Sequence, residues 1–216
     1  MPTTHLIFIR HGETDWNRQQ RFQGQIDVPL NALGHQQAAR LAQRLAAEPP
    51  DAMISSDLLR TRETSAPLAR AWGQTPALNA GLREQHFGIF EGLDVPTIKA
   101  QHPTLWARWI EHDGDFALPG GENLVQFHRR VMDTVGALAA AHAGQRLAIV
   151  THGGVLDMLW RAVHGLPVTG LRDCDIPNTG INRLRWQAGS LSIDSRADAA
   201  HLHGLAEQPD TAPGER

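Results

Sequence analysis

The sequence predicts an α/β fold: a three-layer α/β/α sandwich with helices on both faces of a mostly parallel central sheet. Three observations lead there. Short apolar runs alternate with helical patterns of about 10–20 residues along most of the chain. Two of these runs end in a histidine followed by glycine, Ile9-Arg10-His11-Gly12 and Val150-Thr151-His152-Gly153. The chain has 216 residues, of which 41% are hydrophobic, enough for one domain with a large core.

The elements follow in order. Residues 5–10 (HLIFIR) form a short apolar run, read as a buried strand. Residues 31–47 read as a helix, with Leu33, Gln37, Leu41 and Leu45 at helical spacing and Asn31 as N-cap. Residues 52–55 (AMIS) give a second strand, and residues 57–72 a second helix, capped by Ser56 or Asp57 and stopped by Gly73. Residues 77–79 suggest a third strand. The stretch 81–121 is less regular, carries Pro96, Pro103 and Pro119, and is read as an insertion with short helices near 95–101 and 103–111. Residues 122–142 form a long amphipathic helix with Leu124, Phe127, Val131, Val135 and Leu138 in one stripe. Residues 146–151 (RLAIVT) are another buried strand, and the helix after His152 runs to about His164. Residues 180–186 and 190–195 read as an antiparallel hairpin turning at Ala188-Gly189. The organisation expected is a single domain over residues 1–206, the 81–121 insertion lying over the active site, and a flexible polar tail at 207–216.

Composition excludes several classes. A net charge of −3 gives no broad nucleic-acid-binding face. The apolar run at Leu6 is too short for a signal peptide or membrane span, so the expected location is the cytoplasm. The single cysteine, Cys174, allows no intrachain disulfide. The 12 histidines are scattered, and the His201-x-His203 pair alone does not make a metal site. Neither a metal nor an organic cofactor is expected.

Four segments carry candidate chemistry. In Arg10-His11-Gly12-Glu13-Thr14, an imidazole directly after a buried strand is held rigidly, and Arg10 offers a planar charge suited to phosphate oxygens. A neutral imidazole nitrogen beside an arginine can attack phosphorus if the other nitrogen gives its proton to a backbone carbonyl. Arg60 follows the second strand at the start of a helix, where free N–H groups favour an anion; alone, it reads at least as well as a surface arginine paired with Glu63 or Glu84. Glu84 is the candidate proton donor and Glu91 the spare, unless both are solvated loop carboxylates. His152, in Thr151-His152-Gly153-Gly154, is a second phosphate ligand or transition-state stabiliser.

Taken together and in this order, the segments resemble the histidine phosphatase superfamily, the phosphoglycerate-mutase-like proteins. The N-terminal signature extends through Asn17, Phe22-Gln23-Gly24, Asp27-Val28-Pro29-Leu30-Asn31 and Gly34, and the likeness runs from Leu6 to Trp186. It implies that His11 is the phosphorylated nucleophile. Arg10, Arg60 and His152 form the phosphate pocket, with Gly153 beside it. Asn17 hydrogen-bonds the phosphoryl group, Gln23 and Gly24 lie near the bound phosphate, and Glu84 is the proton donor. The arginines and histidine then supply the charge that other phosphatases draw from metal ions. A homodimer is a family expectation.

Both mutases and phosphatases use such a pocket. A mutase must hold a second phosphate, and its insertion carries extra cations for that. Here only Lys99 and Arg108 are cationic between Gln85 and Asn123, and the chain has no tyrosine. The insertion is rich in Phe and Trp, and the Trp106/Trp109 pair reads as packing rather than a stacking cage. The expected activity is therefore that of a metal-independent phosphomonoesterase, a histidine acid-type phosphatase acting on a small phosphorylated metabolite. A cofactor-dependent phosphoglycerate mutase is the alternative, and a non-catalytic phosphate-ligand-binding protein the second alternative.

Overall fold

In the computed structural model, which describes residues 2–205, strands and helices alternate as expected. The expected tail at 207–216 lies outside the described residues. The strands are β1 (Thr4–Arg10), β2 (Ala52–Ser55), β3 (Ala77–Leu78), β4 (Arg146–Thr151), β5 (Ile181–Gln187) and β6 (Ser190–Asp198). They form one sheet in the order β3-β2-β4-β1-β5-β6. β1 pairs in parallel with β4, and β2 with both β4 and β3, whereas β5 runs against β1 and β6.

Alternate residues of β1 serve opposite faces, as the two-residue period of a strand requires. Leu6 and Phe8 pack with Phe127, Val131 and Val135 of one helix layer. Ile7 and Ile9 pack with Leu41, Leu45 and Leu68 of the other. The first layer is α6 (Leu124–Ala141) and α7 (Gly153–His164); the second is α2 (Ala32–Leu45) and α3 (Leu59–Trp72). A four-residue helix, α1 (Asp15–Arg18), precedes them, and α4 (Val95–Gln101) and α5 (Pro103–Trp109) lie in the stretch between β3 and α6. Phe22, Phe90, Ile98 and Leu118 form a separate small core there, with Trp106 and Trp109 packed against it. Among the described residues, no helix is long and apolar enough to cross a membrane.

Three local expectations need correction. α1 was not foreseen, because its signal is only Thr14 and Asn17, which close a capping box around one turn. α3 is not capped by Ser56 or Asp57. Its N-cap is Leu58, the Leu59 N–H is accepted by the Asp27 carboxylate from a distant loop, and Asp57 makes a paired bond to Arg83 instead. The last strand runs on to Asp198, past the expected residue 195, after a register shift opposite Arg183.

Candidate active site

Parallel pairing places Arg10 opposite Thr151, and each strand is followed by a histidine. The His11 N–H extends the ladder to Thr151 O at 2.9 Å. His11 and His152 thus emerge side by side at the carboxyl ends of the strands, where ligands bind in such sheets. Their ring centroids are 5.3 Å apart and both rings are buried. Burial, reinforced by Arg60 and then other neighbouring charges, pushes both imidazoles well below their ordinary pKa, so both are neutral.

The hydrogen bonds select the tautomer of His11 and give His152 a hydroxyl partner. His11 Nδ1 lies 2.8 Å from Gly12 O, which can only accept. Nδ1 therefore carries the proton and Nε2 keeps its lone pair. His152 Nε2 lies 2.9 Å from Ser56 Oγ, and that hydroxyl is approached by the Leu58 N–H at 3.5 Å. We assign the Ser56 proton to Nε2, the hydroxyl oxygen being approached already by the Leu58 N–H, and this assignment puts the His152 proton on Nδ1. That Nδ1 is buried without a partner. The site so holds a lone pair on one ring and a vacant N–H on the next. In sequence Ser56 reads only as a helix cap, because its contact with His152 joins the ends of β2 and β4.

A prediction follows for Ser56→Ala. Nitrogen NMR should show His152 as the Nδ1–H tautomer in the wild type and as a mixture in the variant, with phosphate binding weaker by roughly 5–10-fold, the worth of about one hydrogen bond. An Nε2–H tautomer in the wild-type protein would refute the assignment.

Arg60 is fully buried in the first turn of α3. Nη2 donates to Gly24 O at 2.7 Å and Nη1 to Ile26 O at 3.0 Å, while Nε has no partner. Desolvation lowers its pKa to about 10, so the guanidinium remains charged at neutral pH. It is hydrogen-bonded to neither Glu63, which accepts the Leu30 N–H, nor Glu84. Arg10 crosses to the loop before β5 and donates to Ile176 O.

The remaining candidates converge unequally. Asn17, Gln23 and Gly24 line one crevice with Arg10 and His11. The Gln23 carbonyl accepts the Thr14 hydroxyl at 3.0 Å, which turns its amide NH₂ the other way. Gly24 contributes its carbonyl to Arg60; its φ of 51° suits glycine, and a Cβ there would meet Glu91 at 1.9 Å. Gly153 opens α7 beside Arg10, and a Cβ would find ordinary contact distances. Gly12 and Gly34 do need to be glycine, because each would drive a Cβ into the other segment's backbone, at 2.7 Å and 2.1 Å.

Glu84 lies in the same crevice. Oε2 accepts the Gly154 N–H at 3.0 Å and Oε1 the Gln85 N–H at 2.9 Å. Its backbone carbonyl is held by Arg130 and Gln25. Glu91, the spare, points elsewhere: it accepts the Gln25 and Phe87 N–H groups at 3.0 Å each and braces the loop. Gly154 was missed as a site residue. A Cβ there would lie 2.2 Å from Glu84 Oε1 and 3.1 Å from Phe127. Gly154→Ala should therefore displace Glu84 while leaving α7 intact, since alanine is the better helix former. Turnover is expected to fall by about 10²-fold, the usual effect of an ångström-scale misplacement, with Tm unchanged or higher. Full activity in that variant would show that the Glu84 carboxylate is not placed for chemistry.

The two cations expected in the insertion stand elsewhere. Lys99 lies over the Trp106 ring and Arg108 over Phe116, and Arg108 is also paired with Asp113. Neither lines the crevice. Arg21 and Arg172 do, and Arg172 comes from the loop after α7, outside the insertion. Among the described residues, no group of three or more His, Cys, Asp or Glu side chains is placed to hold a metal ion.

Residues 6–199 match the family model of the histidine phosphatase superfamily (branch 1). The chain belongs to that superfamily. It is an enzyme of this phosphatase and mutase class. It is 33% identical to the metal-independent phosphoserine phosphatase of Arabidopsis thaliana over 94% of this chain and 84% of that protein. It is 32% identical to a protein of Escherichia fergusonii named "Probable phosphoglycerate mutase GpmB", over 93% of this chain and 96% of the relative. Among solved structures, the mycobacterial glucosyl-3-phosphoglycerate phosphatase superposes with a TM-score of 0.76 at 30% identity, covering 90% of this chain and 99% of that one. Arg10, His11 and Glu84 line one crevice of about 1100 Å³ of empty space, open solvent included, whereas Arg60, His152 and Gly153 are buried and do not line it.

Proposed function

We propose that this superfamily member is a metal-independent phosphomonoesterase that cleaves small organic phosphates through a phosphohistidine on His11. One observation carries the reading. Two buried nitrogens without partners, Arg60 Nε and His152 Nδ1, belong to side chains that flank the neutral His11: the Arg60 charge acts on both imidazoles, and the His152 ring lies 5.3 Å from that of His11. A buried unsatisfied donor costs about 1–3 kcal/mol, and a phosphoryl group would satisfy both.

In the first step His11 Nε2 forms a bond to phosphorus as the ester P–O bond breaks, and Glu84 gives its proton to the leaving oxygen. In the second, Glu84 takes a proton from water, the water oxygen bonds to phosphorus, and the P–N bond breaks to release phosphate. Gly12 O holds the Nδ1–H throughout, and Arg10, Arg60 and His152 carry the negative charge. The relative that is a metal-independent phosphoserine phosphatase supports this reading.

A second reading, phosphoglycerate mutase, is favoured by Arg172 in the crevice and by the mutase-named relative. One assay separates the two. The protein is incubated in EDTA with 3-phosphoglycerate and a catalytic amount of 2,3-bisphosphoglycerate, and 2-phosphoglycerate and free phosphate are followed together. Phosphate release is expected to dominate and to survive the chelator. Rapid isomerisation with little free phosphate would establish the mutase instead.

A further inference from the structure

The antiparallel pairing of β1 with β5 ends at Ile9 opposite Ile181, two residues short of His11. Beyond that point a turn at residues 177–180 supplies the hydrogen bonds on this side of the chain. The turn is closed by the Gly180 N–H, which donates to Pro177 O at 3.0 Å. The Thr179 N–H donates to Arg10 O at 3.0 Å and approaches His11 O at 3.4 Å, and Asn178 Nδ2 donates to His11 O at 2.8 Å. Thr179 is the third of the four turn residues and has a φ of 54°. A positive φ at that place normally selects glycine or asparagine, and for a β-branched residue it is strained. The side chain accounts for the threonine. It is fully buried, and its Oγ1 lies 3.1 Å from His201 Nε2. A β-branched side chain is stiff about χ1, so holding the hydroxyl also holds the backbone N–H. His201 belongs to a single 3₁₀ turn, Ala200–Leu202, that follows β6. Both ends of that turn are tied to α2: Arg40 Nη1 donates to His203 O at 2.9 Å, and Arg44 pairs with Asp198 at 3.6 Å. His201 thereby reaches the main chain of His11 through one side chain and one N–H.

We propose that Thr179 and His201 are positioning residues for the nucleophile: His201 pins the strained Thr179, and Thr179 fixes where His11 leaves the sheet. This rests on the reading of His11 as the phosphorylated residue. A strained backbone persists only where its surroundings hold it, and such outliers gather at functional sites. A turn that served only to connect would be made without strain by glycine at position 179.

Two pairs of variants test this. Thr179→Gly keeps the turn and removes the hydroxyl, whereas Thr179→Ser keeps the hydroxyl. His201→Leu removes the ring nitrogens, whereas His201→Gln returns a polar atom that can bond the Thr179 hydroxyl. In a single turnover with p-nitrophenyl phosphate, phosphohistidine formation should slow by roughly 10–100-fold in Thr179→Gly and in His201→Leu, the scale of effect of a misplaced reacting group. The dissociation constant of inorganic phosphate, measured by calorimetry, should change by less than about 3-fold, because Arg60 and His152 are held by other segments. Tm should change little in Thr179→Gly, where released strain offsets the lost bond. Thr179→Ser and His201→Gln should each recover most of the rate. Parallel losses of rate and phosphate binding, or no recovery in the two conservative variants, would mean that the segment serves stability alone and would overturn the proposal. Full rate in either Thr179→Gly or His201→Leu would overturn it too. Nitrogen NMR of the resting protein keeps this test apart from that of the phosphohistidine itself. Thr179→Gly should move the His11 ring resonances and leave those of His152 in place, and unmoved His11 resonances would again overturn the proposal. If the resonances shift as expected but the wild type forms no phosphohistidine, the positioning stands and the covalent mechanism falls.

Discussion

His11→Ala should abolish turnover, by roughly 10⁴-fold or more, as loss of a covalent nucleophile does in other enzymes. Substrate mixed with wild-type protein and quenched in base should leave a phosphoprotein that is acid-labile, and the variant should leave none. The expected size follows from the ring's surroundings. It is buried, fixed by the strand ladder on one side and by Gly12 O on the other. His152 cannot substitute, because its Nε2 faces Ser56. The same surroundings set a pH signature. Burial, Arg60 and Arg10 all oppose the imidazolium, so a nitrogen titration of the free protein should show no His11 midpoint near 6.5 and charging only at lower pH. The unfolded chain binds that proton first. Stability from this group is therefore complete above pH 6.5 and falls as the pH drops below it. Retained phosphoenzyme in His11→Ala, or a midpoint at 6.5, would count against His11 as the nucleophile.

The parts of this molecule legible in the sequence are those written in contiguous residues. β1 and β4 are continuous apolar runs because both of their faces are buried, and the histidine after each is fixed by chain continuity. Asn31 announces its helix because a cap acts three residues away; Asn123 does the same for α6, which begins at Leu124 and not at residue 122 as expected. What the sequence could not show is chemistry made by distant segments. Ser56 meets His152 across 96 residues, Gly154 meets Glu84 across 70, and Asp27 caps a helix 32 residues on. Arg172 was missed for the same reason. The cations expected above the pocket lie in the stretch before α6, whereas the loop that carries Arg172 is folded over by Arg161, whose bonds reach six to ten residues ahead. A close glycine contact such as Gly12 with Gly34 leaves only two glycines in the text of the chain, and nothing to say that they touch.

Glu84→Gln should separate substrates by how much their leaving group needs a proton. An alkyl phosphate departs as an alkoxide and needs one; p-nitrophenolate hardly does. General acid catalysis contributes typically ~10²–10⁴-fold, so phosphoenzyme formation from an alkyl phosphate should fall by about that factor. The substitution also has a structural effect. Each carboxylate oxygen of Glu84 accepts one backbone N–H, from Gly154 and from Gln85. Glutamine offers only one acceptor oxygen, so its NH₂ must face a second N–H and the side chain loses one anchor. That loss of placement acts on every substrate alike. The measurement must therefore be the ratio: the rate of phosphohistidine formation from an alkyl phosphate divided by that from p-nitrophenyl phosphate, in wild type and variant. The common factor cancels, and the ratio should still fall by at least about tenfold if Glu84 carries the proton. Holding the backbone carbonyl of residue 84 are Arg130 and Gln25, which the substitution leaves in place, so the loop itself should not collapse. An unchanged ratio would assign Glu84 to structure. Glu91 could not then inherit the role, because it does not line the crevice and its carboxylate ties the Gln25 segment to the Phe87 loop, and the proton would have to come from the phosphate monoanion itself.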